Sequence, residues 1–359
     1  MSAEDLLRLR ENLQALSDDD LRGLVGDAPS QGSWGWSGTA DLDGTKVFVK
    51  RIPVTDVEVA AWPSTRNHFG LPLDYQYGVG SAGFGAAREA HVHRAVTDWV
   101  LEGRTDAFPV LHHARLLPRR GDPWKIPRGR NDYLAMWGGD PAIAAFMDAR
   151  TAATHDLWLV AEHLPHTLDD WFVDHQDRVD GVLHELFGAA ELLREAGVVH
   201  FDAHFGNIVV DADGERFCLS DFGLALSAGA ELADDERDFV GGHLHYDVGE
   251  IIFSLANLLG GMYRRLSDEQ QDHALGLCGL TRAVHRHTVG AALMGNARRL
   301  ADEDVLDLHP AYVAALERFE PVVDHMLGFY SQLSGDLAAR SRHDDDELVA
   351  RLRACGVEL

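Results

Sequence analysis

Leu6, Leu9, Leu13 and Leu16 recur at helical spacing over residues 3–16, and Ser17, with Asp20 three residues on, predicts the cap of a second short helix. Alternating polarity follows in Lys46-Val47-Phe48-Val49-Lys50, which predicts a strand led in by a tight Asp43-Gly44 hairpin. Residues 85–100, 141–153 and 168–173 carry helical patterns, while 110–117 and 157–165 read as strands. Over 178–196, Val179, Val182, Leu183, Leu186, Phe187, Ala190 and Leu193 line one stripe, which Gly197 ends. Ile208–Val210 and Phe217–Leu219 predict a hairpin, with Asp213-Gly214 as a two-residue turn signal. An apolar helix over 250–259 and three or four amphipathic helices over 268–355 complete an α+β pattern without internal repeat.

Polar residues at the ends of these elements carry the candidate chemistry. Folding the 208–219 hairpin brings Asn207, just before its first strand, near Asp221, just after its second. An amide and a carboxylate offer hard oxygen ligands of the kind magnesium prefers. Asp202, five residues before Asn207, is placed to face a substrate hydroxyl. Lys50 is the strand's candidate cation; Lys46, of the same parity but beside the turn, and Arg51, on the opposite face, compete with it. Gly32, Gly35 and Gly38 let the backbone before the strand approach a phosphate. His200 reads as a brace of its loop, and a direct role for His204 stays open.

His200, Asp202 and Asn207, followed by Asp221-Phe222-Gly223, have the spacing of two motifs of the protein-kinase-like superfamily, which the chain therefore resembles. The form Asp202-Ala203-His204-Phe205-Gly206-Asn207 is similar to that of aminoglycoside phosphotransferases and other atypical kinases. The resemblance implies a bilobal α+β fold: a helical extension over 1–30, a small β-rich lobe with one main helix over 31–163, and a large helical lobe over 164–359. Insertions are expected near 53–84 and 118–155. It further implies ATP and Mg2+ as cofactors, with Gly32, Gly35 and Gly38 covering the phosphates and Lys50 on the α/β-phosphates, fixed by an acid, for which Glu89 of the 85–100 helix is the best placed and Glu58, closer to the strand, the alternative. Main-chain groups of Glu162 and Leu164 would meet the adenine, Asn207 and Asp221 the metal, and Asp202 the attacking hydroxyl. His204 would face the γ-phosphate region, and Asp247 would hydrogen-bond the catalytic-loop backbone.

Departures from the family pattern shape the expected acceptor. The glycine spacing is irregular, Phe201 stands where many protein kinases keep a phosphate-pairing arginine, and no Ala-Pro-Glu follows Gly223. Only 23 residues separate Gly223 from Asp247. These features disfavour switching by phosphorylation and a general peptide platform, and favour a small hydroxylated molecule or a dedicated peptide. A regulatory Ser/Thr protein kinase and a nucleotide-binding scaffold without catalysis are the alternatives.

The net charge of −26 argues against nucleic acid and anionic membrane surfaces as partners. The acidic run 234–238 would suit a cationic acceptor, or is a solvated loop. Arg119, Arg120, Lys125, Arg128 and Arg130 stand out on so acidic a chain, as a docking flap or as another solvated loop. Three scattered cysteines supply neither a disulfide framework nor a zinc pattern. With no apolar signal core and no run of membrane-spanning length, the expected location is cytoplasmic.

Overall fold

Residues 3–24, 30–31, 34–282, 286–335 and 343–359 are described by the computed structural model. The architecture is mixed α+β, a small antiparallel sheet with many helices, as the pattern predicts. The chain divides into two compact units, residues 1–165 with 220–237 and residues 166–219 with 238–359.

The first unit is built on β1 (Ser30–Gln31), β2 (Trp36–Leu42), β3 (Thr45–Val54), β4 (Leu111–Pro118) and β5 (His155–Glu162), paired antiparallel in the order β1-β2-β3-β5-β4. Asp43 and Gly44 join β2 to β3 at φ 53° and 82°, with Leu42 opposite Thr45, which is the two-residue turn the sequence signals. Side-chain alternation along β3 sorts the two faces. Val47 and Val49 join Trp158 and Val160 in a cluster covered by Leu9, Leu13 and Leu21 of α1 (Ala3–Ala15) and α2 (Asp18–Gly23). The amino-terminal leucines therefore complete one face of the sheet, and Arg115 fastens them by donating to the carbonyls of Leu13 and Leu16.

After β3 comes α3 (Asp56–Ala61), capped by Thr55 with Glu58 closing a capping box. On the second face Ile52 and Val54 pack with Ala86 and Ala90 of α4 (Ala86–Leu101). Lys50 shares this parity and Arg51 the other.

The two expected insertions form one aromatic layer. Tyr75, from the first, meets Trp137 edge-on at 4.7 Å and lies 2.5 Å, oxygen to oxygen, from Tyr133 of α5 (Arg130–Met136). Phe69 meets Phe146 of α6 (Pro141–Thr151) at 5.1 Å. Arg150 of α6, 1% exposed, lies over Trp124 and Phe146 and donates to the Trp34 carbonyl at 2.9 Å. Large aromatic faces gain most by covering one another, so two excursions separated by residues 85–117 find a shared core.

Three members of the basic cluster have partners within the first unit. Arg119 donates to Asp156, Arg120 pairs with Asp19, and Arg130 grips Asp148 with two hydrogen bonds. Three of the five cations thus meet carboxylates of their own unit.

The second unit is mainly helical. β6 (His166–Thr167) leads into α7 (Leu168–Trp171), a single turn continued by a 3-10 turn over Phe172–Asp174. The predicted helix thus stops short. α8 (Val179–Glu195) buries its apolar stripe, and Gly197, at φ 66°, turns the chain into β7 (Val198–Val199). β8 (Ile208–Val210) pairs with β9 (Phe217–Leu219), but with Val210 opposite Phe217. The connection is therefore the six residues 211–216, not a two-residue turn. Asp211 widens it by accepting from the backbone of Glu215 and Arg216, while Gly214 lies against the Trp171 ring, where a Cβ would come within 2.9 Å. α9 (Asp234–Gly241) begins in the first unit and ends in the second, and α10 (Tyr246–Arg265) packs with the long helix Pro310–Gly335 and with Asp345–Ala354. No described helix is long and apolar enough to cross a membrane.

Candidate functional site

In the first unit, Lys50 Nζ donates to Glu89 Oε1 at 2.8 Å and to Asp221 Oδ1 at 2.7 Å. Strand parity aims Lys50 at α4, and a helix that sets Ala86 and Ala90 on the sheet brings Glu89 with them. Asp221 sits in the left-handed region at φ 60° and accepts from Gly223 N at 3.3 Å. A Cβ at Gly223 would stand 3.2 Å from Asp221 Oδ1 and 3.3 Å from Glu89 Oε2, so glycine there lets both carboxylates close in. Phe222 anchors the turn, buried edge-on against His93 at 4.8 Å. Burial opposes the Lys50 charge, but Asp221 and Glu89 more than offset it and hold its pKa above the ordinary lysine value. Burial pushes the Glu89 carboxyl up, against the pull of Lys50.

The competing assignments fall elsewhere. Lys46 is exposed, and Arg51 donates to Asp156 between the rings of Trp36 and Trp158. Glu58 is not the partner of Lys50: it accepts from Thr55 N at 2.9 Å and from Ala86 N at 2.9 Å, holding the first turn of α4. Gly38 lies within β2 opposite Val49, and Gly35 leaves no room for a Cβ beside the Arg51 carbonyl. Sheet packing thus accounts for Gly35, and Gly32 lies outside the described residues. Glu162 ends β5, exchanging hydrogen bonds with the backbone of Val110 at 2.8 and 3.2 Å, and Leu164 is buried just beyond.

In the second unit the loop 200–207 is hung from one face of α10. His200 N and Phe201 N donate to Asp247 Oδ2 and Oδ1 at 2.8 and 3.0 Å. Ala203 N donates to Glu250 Oε2 at 2.9 Å and Phe205 N to Ser254 Oγ at 3.3 Å. Positions 247, 250 and 254 share a helix face, so one rigid element sets the height of alternate loop residues. Phe201, at φ 61°, is buried against Phe239 and Tyr246.

Asn207 Nδ2 donates to both the carbonyl and Oδ2 of Asp202, each at 2.9 Å. The planar amide therefore turns its carbonyl oxygen away from that carboxylate. His204 Nδ1 accepts from Gly206 N at 3.0 Å, which assigns the ring proton to Nε2, 3.6 Å from Asp202 Oδ1.

Glu250, Ser254 and Tyr330 are not among the sequence-predicted residues. The polar positions of an otherwise apolar helix, spaced like its neighbour Asp247, were the available signal for the first two. Tyr330 offered none; it donates to Glu250 Oε1 at 2.8 Å and lies 2.6 Å from the Tyr246 hydroxyl. Burial pushes the Asp247 carboxyl up to about 7; burial and the Asp202 charge push Glu250 up to about 8.

Both groups favour the protonated folded state, so the stability they contribute is complete below their ordinary values and is lost as pH rises through 7 to 8. Stability should therefore fall from about pH 4 to about pH 8 and level off above that. Glu250→Gln keeps an acceptor for Ala203 N and should flatten that fall, gaining about 2 kcal/mol over the parent at the alkaline end. Urea unfolding across this range measures it, and a parent with flat stability contradicts the burial argument.

Magnesium takes carboxylate and carbonyl oxygen and completes its shell with water and phosphate oxygens. Asp221 in the first unit and Asn207 in the second each carry an oxygen of that chemical kind, and no group of three His, Cys, Asp or Glu among the described residues is arranged as a metal site by itself. Compared with known proteins, the chain matches no family model and no curated sequence.

Proposed function

We propose that this protein is an ATP- and magnesium-dependent phosphotransferase of protein-kinase-like type, moving the γ-phosphoryl group to a hydroxyl of a small molecule or a dedicated peptide. The observation that carries the reading is Lys50 held between a buried glutamate and a half-exposed aspartate. Such a lysine keeps its charge and presents a fixed ammonium to phosphate oxygens, while the aspartate beside it suits a cation.

In this reading Lys50 holds the α/β-phosphates, the segment of Gly32, Gly35 and Gly38 covers them, and main-chain groups of Glu162 and Leu164 meet the adenine. Asn207 and Asp221 would hold Mg2+, which neutralises charge on the β/γ-phosphates. Asp202, oriented by Asn207, accepts the proton of the attacking hydroxyl as the new O–P bond forms and the bond to the β-bridging oxygen breaks, releasing ADP. His204, whose Nε2 lies 3.6 Å from Asp202 Oδ1, would face the γ-phosphate region. Exposed Asp234, Asp235 and Asp238 suit a cationic acceptor, while Glu236 of the same run is buried.

The test pairs calorimetry of ATP, with and without magnesium, with a labelled-ATP screen of aminoglycosides, small alcohols and precursor peptides. Magnesium-dependent binding and label transfer that disappears in Asp202→Ala are expected. No ATP binding, or transfer that survives both Asp202→Ala and Asp221→Ala, would sink the reading; binding without transfer to any acceptor favours the scaffold.

A further inference from the structure

We infer that Glu236 locks the segment following Asp221 onto α4, so that unmodified side chains alone keep Lys50, Glu89 and Asp221 assembled. The catalytic consequence rests on the phosphotransferase reading; the lock itself does not. Arg88, the residue before Glu89 on α4, donates Nη2 to Glu236 Oε1 at 2.6 Å, and both side chains are 3% exposed. Its Nε donates to the Thr65 carbonyl at 2.7 Å, and Glu236 Oε2 accepts from Ala233 N at 2.9 Å. Adjacent residues of one helix thus reach the two ends of the 221–236 segment.

The first insertion supplies the remaining ties. Thr65 Oγ1 accepts from Glu231 N at 2.7 Å, and Glu231 Oε2 accepts from Ser64 Oγ at 2.7 Å and Thr65 N at 3.1 Å. Gln76 Nε2 donates to the Leu224 carbonyl, and Gly83 abuts the Gly223 carbonyl with no room for a Cβ. A closed, buried ion pair is an inefficient way to add stability but an effective way to set position, because losing either partner strands the other. Residues 64–83 and Arg88 therefore do what a covalently attached charge on this segment would do, permanently.

The test uses the full chain with Glu236→Gln and with the exchanged pair Arg88→Glu/Glu236→Arg. Hydrogen exchange is followed over 86–93 and 221–236, beside Mg·ATP affinity, kcat and KM. If Glu236→Gln frees the segment, exchange rises in both stretches, and Mg·ATP affinity weakens about tenfold, the scale of ordinary coupling between sites. KM should rise more than kcat falls, since saturating nucleotide reselects the assembled state, and the exchanged pair should restore part of the loss. If Glu236→Gln does not fold, Glu231→Gln, an exposed anchor on the same segment, is read in the same way, with a smaller shift in the same direction. Loosening confined to 230–236 with 86–93 unchanged overturns the lock, as does loss of Mg·ATP binding when the parent is treated with phosphatase. Should the parent bind no Mg·ATP, the phosphotransferase reading falls while the exchange data still decide the lock.

Discussion

Lys50→Met is expected to abolish the proposed phosphoryl transfer and to destabilise the protein, whereas Asp221→Asn should abolish that transfer with little loss of stability. Both remove a group that the proposed reaction needs on the triphosphate, a loss on the order of 10³ in kcat/KM. Their effects on folding differ because the cluster holds one cation and two carboxylates. Removing Lys50 leaves Glu89 buried without its ion-pair partner and beside a second acid, which costs about 3–5 kcal/mol. Asp221→Asn leaves the Lys50–Glu89 pair in place and removes a charge that raises the Glu89 pKa.

The sign with pH follows. The folded-state value of Glu89 already lies above its ordinary one, and loss of the lysine raises it further. The stability this group contributes is present below its ordinary value and lost as pH rises, so the deficit of Lys50→Met narrows on acidification. Urea unfolding at about pH 5 and about pH 8, with initial rates, gives both quantities. Equal destabilisation by the two variants would contradict the charge arrangement.

Asp247→Ala should have the second large effect, through the loop rather than the reacting atoms. It strands the backbone N–H groups of His200 and Phe201, each worth about 1–3 kcal/mol when buried without an acceptor. It also frees Phe201 from its φ of 61°. Asp202 then loses its fixed height above α10, and in the proposed reaction a displacement near 1 Å would lower kcat by roughly 10². Asp247→Asn keeps one oxygen and should fall between, while Ser254→Ala, which removes a 3.3 Å bond from Phe205 N and the hydroxyl's own 3.0 Å bond to the Glu250 carbonyl, should cost about 1 kcal/mol. Denaturation and kcat on the three variants check the ranking; an unchanged kcat in Asp247→Ala would show that the loop holds its shape without it.

Local physics made part of this legible in the residues themselves. Alternation along β3 separates Lys50 from Arg51, Asp43-Gly44 supports only one tight turn, and the leucines of α1 have helical period, because each depends on backbone geometry within one element. The Lys50–Glu89 pair was expected from the family resemblance; strand parity alone only sets the face of the sheet on which Lys50 lies. The 211–216 loop was misread because Asp211 and the Trp171 ring, outside the turn signal, set its width.

By itself the sequence determined the α+β class, the strand and helix periods and the position of the motif residues, all consequences of short-range geometry. Only the tertiary structure decided that two insertions share an aromatic core, that Arg119, Arg120 and Arg130 meet carboxylates of their own unit, that Glu236 of an acidic run turns inward to Arg88, and that Tyr330 reaches Glu250. The reason is physical: whether a charge faces water or a partner depends on what the rest of the chain brings beside it, and those partners lie 148 and 80 residues away in the last two cases.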